Sequence, residues 1–138
     1  FWRIAMRPGK PLLFGRIGDT PVLGLPGNPV SSLICAIIFM APALDLMQGV
    51  AASTRPRHTA KLAVPLGRND EREDYLRATV SFDEDGGMRA TPFSHQDSSM
   101  VSRLAQADCL IVRPPHAPPA DAGDTVEILP LPEGMARV

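Results

Sequence analysis

The segment MRPGKP at residues 6–11 places two cationic side chains three residues apart around a Pro-Gly turn. Such a turn can aim Arg7 and Lys10 at one anion, to which both can donate charge-assisted hydrogen bonds. The alternative is a solvated hairpin whose two cations face water. The segment is therefore a candidate anion-binding turn.

A second segment, GLPGNPVSS at residues 24–32, runs from a strand through a Gly/Pro turn into a helix start. Asn28 suits the N-cap and Pro29 the first helical position. Free N–H groups and the helix dipole favour an anion there, and the hydroxyls of Ser31 and Ser32 add donors. The alternative is that the segment only begins a helix. It lacks the Gly-Lys-Ser/Thr ending of a nucleotide P-loop.

Three strands and one long helix are predicted to position these segments. The strands are Phe1–Met6, Pro11–Ile17 and Pro21–Leu25, joined by Gly/Pro-rich turns. The helix should run from Pro29 to about Gln48, and Pro42 should kink it or end its first part because proline removes a helical hydrogen bond. Its apolar run, residues 33–44, is twelve residues long. This length favours a buried core helix over a membrane span of about 20 residues.

The composition changes after Gly49, where strand-sized runs alternate with turn clusters. Residues 50–55 are therefore predicted to link two separately packed units, residues 1–49 and 56–138. A short helix is expected at Met100–Gln106, and the proline-rich residues 114–119 should form a loop. The predicted strands of the second unit, with a hairpin turn at residues 83–87, are His58–Pro65, Tyr75–Phe82, Met88–Pro92, Cys109–Val112 and Thr125–Leu129. This unit is predicted to be a small β-rich domain.

The overall charge of −1 over 138 residues gives no broad field for holding nucleic acid. Residues 1–49 contain four basic and two acidic residues, whereas residues 50–138 contain ten basic and thirteen acidic ones. Residues 1–49 thus suit a small anion better than residues 50–138 do. The two cysteines lie in apolar runs and the three histidines are scattered, so no metal site is predicted. No signal peptide is visible, which indicates a cytoplasmic protein.

The motifs at residues 6–11 and 24–32, in this order with a strand between them, closely resemble those of the molybdopterin molybdenumtransferase family, which includes bacterial MoeA and the E domain of gephyrin. Weaker family blocks, YLRA at residues 75–78 and SHQDSS at residues 94–99, extend the resemblance over essentially the whole chain. Two departures affect the second block. Ser94 stands where the family usually has glycine, and Met100 where many members have arginine.

The resemblance implies that the chain is the C-terminal part of an elongated, four-domain homodimer. Residues 1–49 would end an α/β, MogA-like domain that binds molybdopterin, and residues 56–138 would form the last, β-barrel-like domain. The family ligates molybdate to adenylylated molybdopterin with Mg²⁺ and releases AMP. Its catalytic and Mg²⁺-binding acids would lie upstream of Phe1, so no catalytic residue is expected in this chain, and the chain alone should be inactive.

The resemblance also implies which residues bind molybdate or molybdopterin: Arg7, Lys10, Pro11, Asn28, Ser31, Arg77, Ser98 and Ser99. Arg7 stands at a position that is more often lysine. The cations of this set are expected to be exposed, so that replacing them should barely change folding. The alternative function is a non-catalytic binding or scaffold module of the same fold. Molybdenum and tungsten remain indistinguishable because their oxyanions are similar tetrahedral dianions.

Overall fold

The second predicted unit, which follows residue 55, contains a small closed β-barrel. The structure is a computed structural model that describes residues 1–50, 56–96 and 101–132. The barrel strands are β4 (His58–Leu62), β5 (Glu73–Phe82), β6 (Met88–Pro92), β7 (Cys109–Arg113) and β8 (Thr125–Pro130). They pair in the order β5-β6-β4-β8-β7, and β7 also pairs with β5, which closes the barrel. The predicted barrel-like domain is confirmed.

Small apolar residues allow the five strands to close tightly. Ala60, Ala78 and Ala90 are almost fully buried, and they pack in one cluster with larger side chains such as Leu62 and Ile128. The predicted strands agree with the observed ones to within a few residues. The predicted hairpin turn is also present, since Phe82 pairs with Met88 across it.

The first predicted unit, residues 1–49, begins with less strand structure than its sequence predicts. Its strands are β1 (Met6–Arg7), β2 (Leu13–Ile17) and β3 (Thr20–Gly24), of which β2 and β3 form an antiparallel hairpin. The prediction of a strand at Phe1–Met6 is wrong apart from its last residue. Arg3 has a φ of 63°, which turns the chain, and Trp2 makes only an isolated bridge to Leu13.

A long helix follows the hairpin. It comprises α1 (Pro29–Cys35), a π-helical segment (Ala36–Met40) and α2 (Ala41–Met47). The N–H of Ala41 bonds to the carbonyl of Ala36, so the hydrogen-bond ladder shifts just before Pro42, as the proline predicts. By length and hydropathy alone the helix could also cross a membrane, a test that core helices of soluble proteins also pass.

The two predicted units, residues 1–49 and the residues after 55, share a sheet and a core. Strand β1 pairs in parallel with β5, and one apolar cluster contains Leu12 and Ile34 together with Tyr75 and Leu110. The prediction of separately packed units is therefore wrong. The buried face of the long helix is covered by the outside of the barrel, together with a short helix, α3 (Val101–Ala105). Most of the predicted linker, residues 51–55, lies outside the described residues.

Candidate oxyanion site

A cavity of about 520 Å³ lies where the 6–11 turn and the start of α1 meet barrel strand β5. This volume is in the range of small-molecule sites. Five of the residues named from the sequence line the cavity, namely Arg7, Lys10, Pro11, Ser31 and Arg77. Ser98 and Ser99 lie outside the described residues. The structure thus brings together residues that are up to 70 positions apart in the chain.

The turn at residues 6–11 is held by its backbone and by the helix beneath it. Leu12 N–H donates to the carbonyl of Gly9 at 3.0 Å, and Ile4 N–H donates to that of Lys10 at 3.0 Å. Gly9 has a φ of +122° and is buried against the Cys35 thiol of α1. Lys10 follows on the exposed side of the turn. Among the described residues, no carboxylate pairs with its ammonium group.

Arg77 reaches the same cavity from β5 but is only 2% exposed. Its backbone is fixed by Gln96, whose side chain accepts from Arg77 N–H and donates to the Arg77 carbonyl, both at 3.0 Å. The expectation that Arg77 is an exposed cation is wrong. Removing its side chain would leave a void in a packed region, so Arg77→Ala should also destabilise the fold.

Arg7 is committed to two carboxylates. Its Nε and Nη2 donate to the two oxygens of Asp74 at 3.0 and 2.5 Å, and its Nη1 donates to Asp70 at 3.1 Å. The hydrogen bond with Asp74 raises the pKa of Arg7. Hydrogen bonds from Arg72, with a smaller effect of the Arg7 charge, lower the pKa of Asp70 to about 2. Arg7 therefore adds less free positive charge than the sequence predicts.

The start of α1 is capped as expected. Asn28 Oδ1 accepts from Ser31 N–H at 3.1 Å, and the Asn28 carbonyl accepts from Ser32 N–H at 2.8 Å. Pro29 has no N–H, so the helix start presents fewer free donors to an anion than its sequence predicts. Ser31 is buried at the cavity wall, and its hydroxyl lies 3.4 Å from Asn28 Oδ1.

Positive charge nevertheless dominates the cavity. Among the described lining residues, Asp74 is the single carboxylate, against four cationic side chains: Arg7, Lys10, Arg72 and Arg77. Buried Cys35 lies behind the turn, and burial raises its pKa to about 11, so it stays protonated at neutral pH. Burial and the neighbouring Glu73 also raise the pKa of Tyr75. The charge of the described lining residues thus suits an anion.

The sequence did not identify three polar residues of this site. Gln96 holds the Arg77 backbone, while Asp74 and Arg72 belong to the ion-pair network around Arg7. The signal for Gln96 was its place in the 94–99 block. A signal for Asp74 was its position three residues before Arg77, on the strand that carries that arginine. Its contact with Arg7 depends on the parallel pairing of β1 and β5.

Comparison with known proteins agrees with this fold. The family model for the MoeA C-terminal region, domain IV, matches residues 59–131. A molybdopterin molybdenumtransferase of Haemophilus influenzae is 33% identical over 131 residues, which cover 94% of this chain and 32% of the relative. Gephyrin of Dictyostelium discoideum is 28% identical, with 94% of this chain and 21% of the relative covered.

Solved structures show the same fold. A molybdenum cofactor biosynthesis protein from Pyrococcus furiosus has a TM-score of 0.75 and 21% identity, covering 95% of this chain and 45% of the other. The moeA protein from Pyrococcus horikoshii OT3 has a TM-score of 0.73 and 22% identity, covering 95% and 32%. The chain belongs to the MoeA family, as the match over residues 59–131 shows. It spans about a third of the length of the transferase relative.

Proposed function

We propose that the cavity binds molybdate, and the phosphate of molybdopterin, during the ligation of molybdate to adenylylated molybdopterin with release of AMP. The observation that carries the proposal is the convergence of Lys10, Arg77 and Ser31 on one cavity with an excess of positive charge. Relatives of this chain are named molybdopterin molybdenumtransferases, which agrees with this role.

The geometry supports positioning and electrostatic stabilisation. A tetrahedral dianion needs several fixed donors, because donors that are already oriented need not reorganise when charge develops during the reaction. Lys10 supplies a point charge from a rigid turn. Arg77 supplies a guanidinium from a buried side chain, and Gln96 fixes the backbone that carries it. The chain's residues would thus hold the oxyanion while the sulfurs of molybdopterin attack the metal.

The described residues do not fit a magnesium site. They contain no cluster of three or more histidine, cysteine or acidic side chains, and Asp70 and Asp74 are both paired with arginine. The family resemblance implies that the Mg²⁺ ligands lie upstream of Phe1. The assignment of residues 1–49 to an α/β molybdopterin-binding domain, a homodimeric full-length protein and a cytoplasmic location belong to the same proposal and rest on the family resemblance.

The test is calorimetric titration of molybdate into the parent chain and three variants at neutral pH. Lys10→Ala and Arg77→Lys should weaken binding about ten- to a hundredfold, since charge-assisted hydrogen bonds contribute roughly 1.5–3 kcal/mol each. Lys61→Ala is the matched control, because Lys61 is exposed on the barrel and bonds to Thr125 away from the cavity. Parent-like affinity in both site variants would reject the site and favour the scaffold alternative.

A further inference from the structure

Arg7 and Lys10 stand three residues apart on one turn, but their surroundings differ sharply. All three guanidinium nitrogens of Arg7 donate to carboxylates, whereas Lys10 has no such partner among the described residues. We propose that Arg7 is a positioning residue that fastens the oxyanion turn to the barrel, and that Lys10 alone of this pair contacts the anion. This inference rests on the proposed function.

The burial of Asp74 fixes the role of its partner. The Asp74 side chain is 10% exposed, and Arg7 approaches both of its oxygens in the fork geometry that is typical of strong arginine–carboxylate pairs. If Arg7 turned towards a bound anion, it would leave a buried carboxylate without its partner. Breaking a buried pair in this way is strongly unfavourable, so the anion does not draw Arg7 away.

The pair also lies where it can control the turn. Arg7 is the last residue of β1 and is the register partner of Asp74 in β5. Backbone pairing here is short, because β1 has only two residues, with one further bond from Glu73 N–H to the carbonyl of Ala5. The side-chain fork therefore reinforces a weak strand pairing directly before the turn that carries Lys10.

Asp70 connects Arg7 to a loop of the barrel as well. Its carboxylate accepts from Arg7 at 3.1 Å and from Arg72 at 2.7 Å, and it also accepts from the Arg72 backbone N–H at 2.9 Å. The loop before β5 is thus tied to the same guanidinium as the strand itself. Arg7 joins the turn to the barrel at two points, on one side of the cavity that Arg77 enters from β5.

The experiment is a double-mutant cycle on molybdate affinity, measured at a temperature where every variant is folded. Arg7→Met should weaken binding about tenfold. Asp74→Asn loosens the turn but also removes the one carboxylate among the described lining residues, which by itself favours an anion, so its effect on affinity should be about tenfold less favourable in the parent than in the Arg7→Met background. Asp19→Asn is the matched control: it makes the same chemical change in the exposed pair of Arg16 and Asp19, and it should bind like the parent.

The effect of Asp74→Asn in the parent, compared with its effect in the Arg7→Met background, decides between the two roles, because the loss of the carboxylate charge is common to both backgrounds. If Arg7 contacted the anion itself, releasing it from Asp74 would make Asp74→Asn more favourable to binding in the parent than in Arg7→Met. That result, or equal effects in the two backgrounds, overturns the proposal. Arg7→Lys provides a second, milder test, since lysine keeps the charge but not the fork. It should bind more weakly than the parent, and parent-like affinity would contradict the positioning role.

Hydrogen exchange gives a local measurement that does not depend on affinity. The amides of Ile4 and Leu12, which close the turn, should exchange faster in Arg7→Met and Asp74→Asn, while amides of barrel strand β7 stay protected. Unchanged exchange at both turn amides would overturn the proposal. Lys10→Ala, measured beside these variants, separates the positioning role of Arg7 from the proposed function. If Lys10→Ala does not weaken molybdate binding, the proposed function itself is rejected.

Discussion

Replacing Gly9 by alanine should destabilise the chain more than any ordinary surface substitution. A Cβ at this position would lie 2.7 Å from the Cys35 sulfur and 3.2 Å from the Met6 methyl group, where ordinary contacts begin at 3.4 Å. The φ of +122° adds strain, because side-chain-bearing residues rarely adopt it. Backbone strain of about 1–3 kcal/mol and overpacking of similar size give a loss of roughly 2–6 kcal/mol.

The assay is urea unfolding of Gly9→Ala beside a matched control in the other Gly/Pro turn. A Cβ added to Gly27 would meet nothing within 4 Å, so Gly27→Ala should change the free energy of unfolding by less than about 0.5 kcal/mol. In a Cys35→Ala background the cost of Gly9→Ala should fall by about 1 kcal/mol or more, since the sulfur is gone but the φ strain remains. Equal stabilities of Gly9→Ala and Gly27→Ala would refute the reasoning.

Three further predictions concern the cap, the thiols and acid stability. Asn28→Ala should cost about 1 kcal/mol of unfolding free energy, measured by thermal melts, because the Ser31 N–H loses its acceptor. Cys35 and Cys109, whose pKa values burial raises to about 11 and about 12, should react with a thiol reagent at pH 8 far more slowly than in the unfolded chain. Rates equal to those in urea would contradict this. Because the pKa of Asp70 is lowered to about 2, its stabilising effect is present above the unfolded value of about 3.9 and lost as pH falls through about 2. In Asp70→Asn the free energy of unfolding should therefore depend less on pH between these two values than it does in the parent. An unchanged pH dependence would count against the ion pair.

Local signals in the sequence predicted much of the fold. The barrel strands are strand-sized runs between turn clusters, and the N-cap and proline at residues 28–29 define the start of the long helix. Pro42 predicted the disruption that the structure resolves as a π-helical segment. These features depend on neighbouring residues, which is why a single sequence carries them.

Features that depend on distant contacts could not be predicted in this way. The pairing of β1 with β5 joins residues 67 positions apart, and it converts Arg7 from a predicted anion ligand into the partner of a buried carboxylate. The burial of Arg77 is equally non-local, because it requires the 93–96 loop to fold back onto β5. The sequence thus predicted five of the residues that line the cavity, but it did not identify Arg72, Asp74 and Gln96 or show which of the charges are already paired.

The central claim is that a tetrahedral dianion binds in the cavity between Lys10 and Arg77. The most direct test is a crystal of the chain soaked in tungstate, whose metal can be located by anomalous scattering. We predict the strongest peak inside this cavity, within hydrogen-bond distance of the Lys10 ammonium and the Arg77 guanidinium, while Arg7 remains bonded to Asp74. An empty cavity in a crystal that binds tungstate elsewhere would contradict the account.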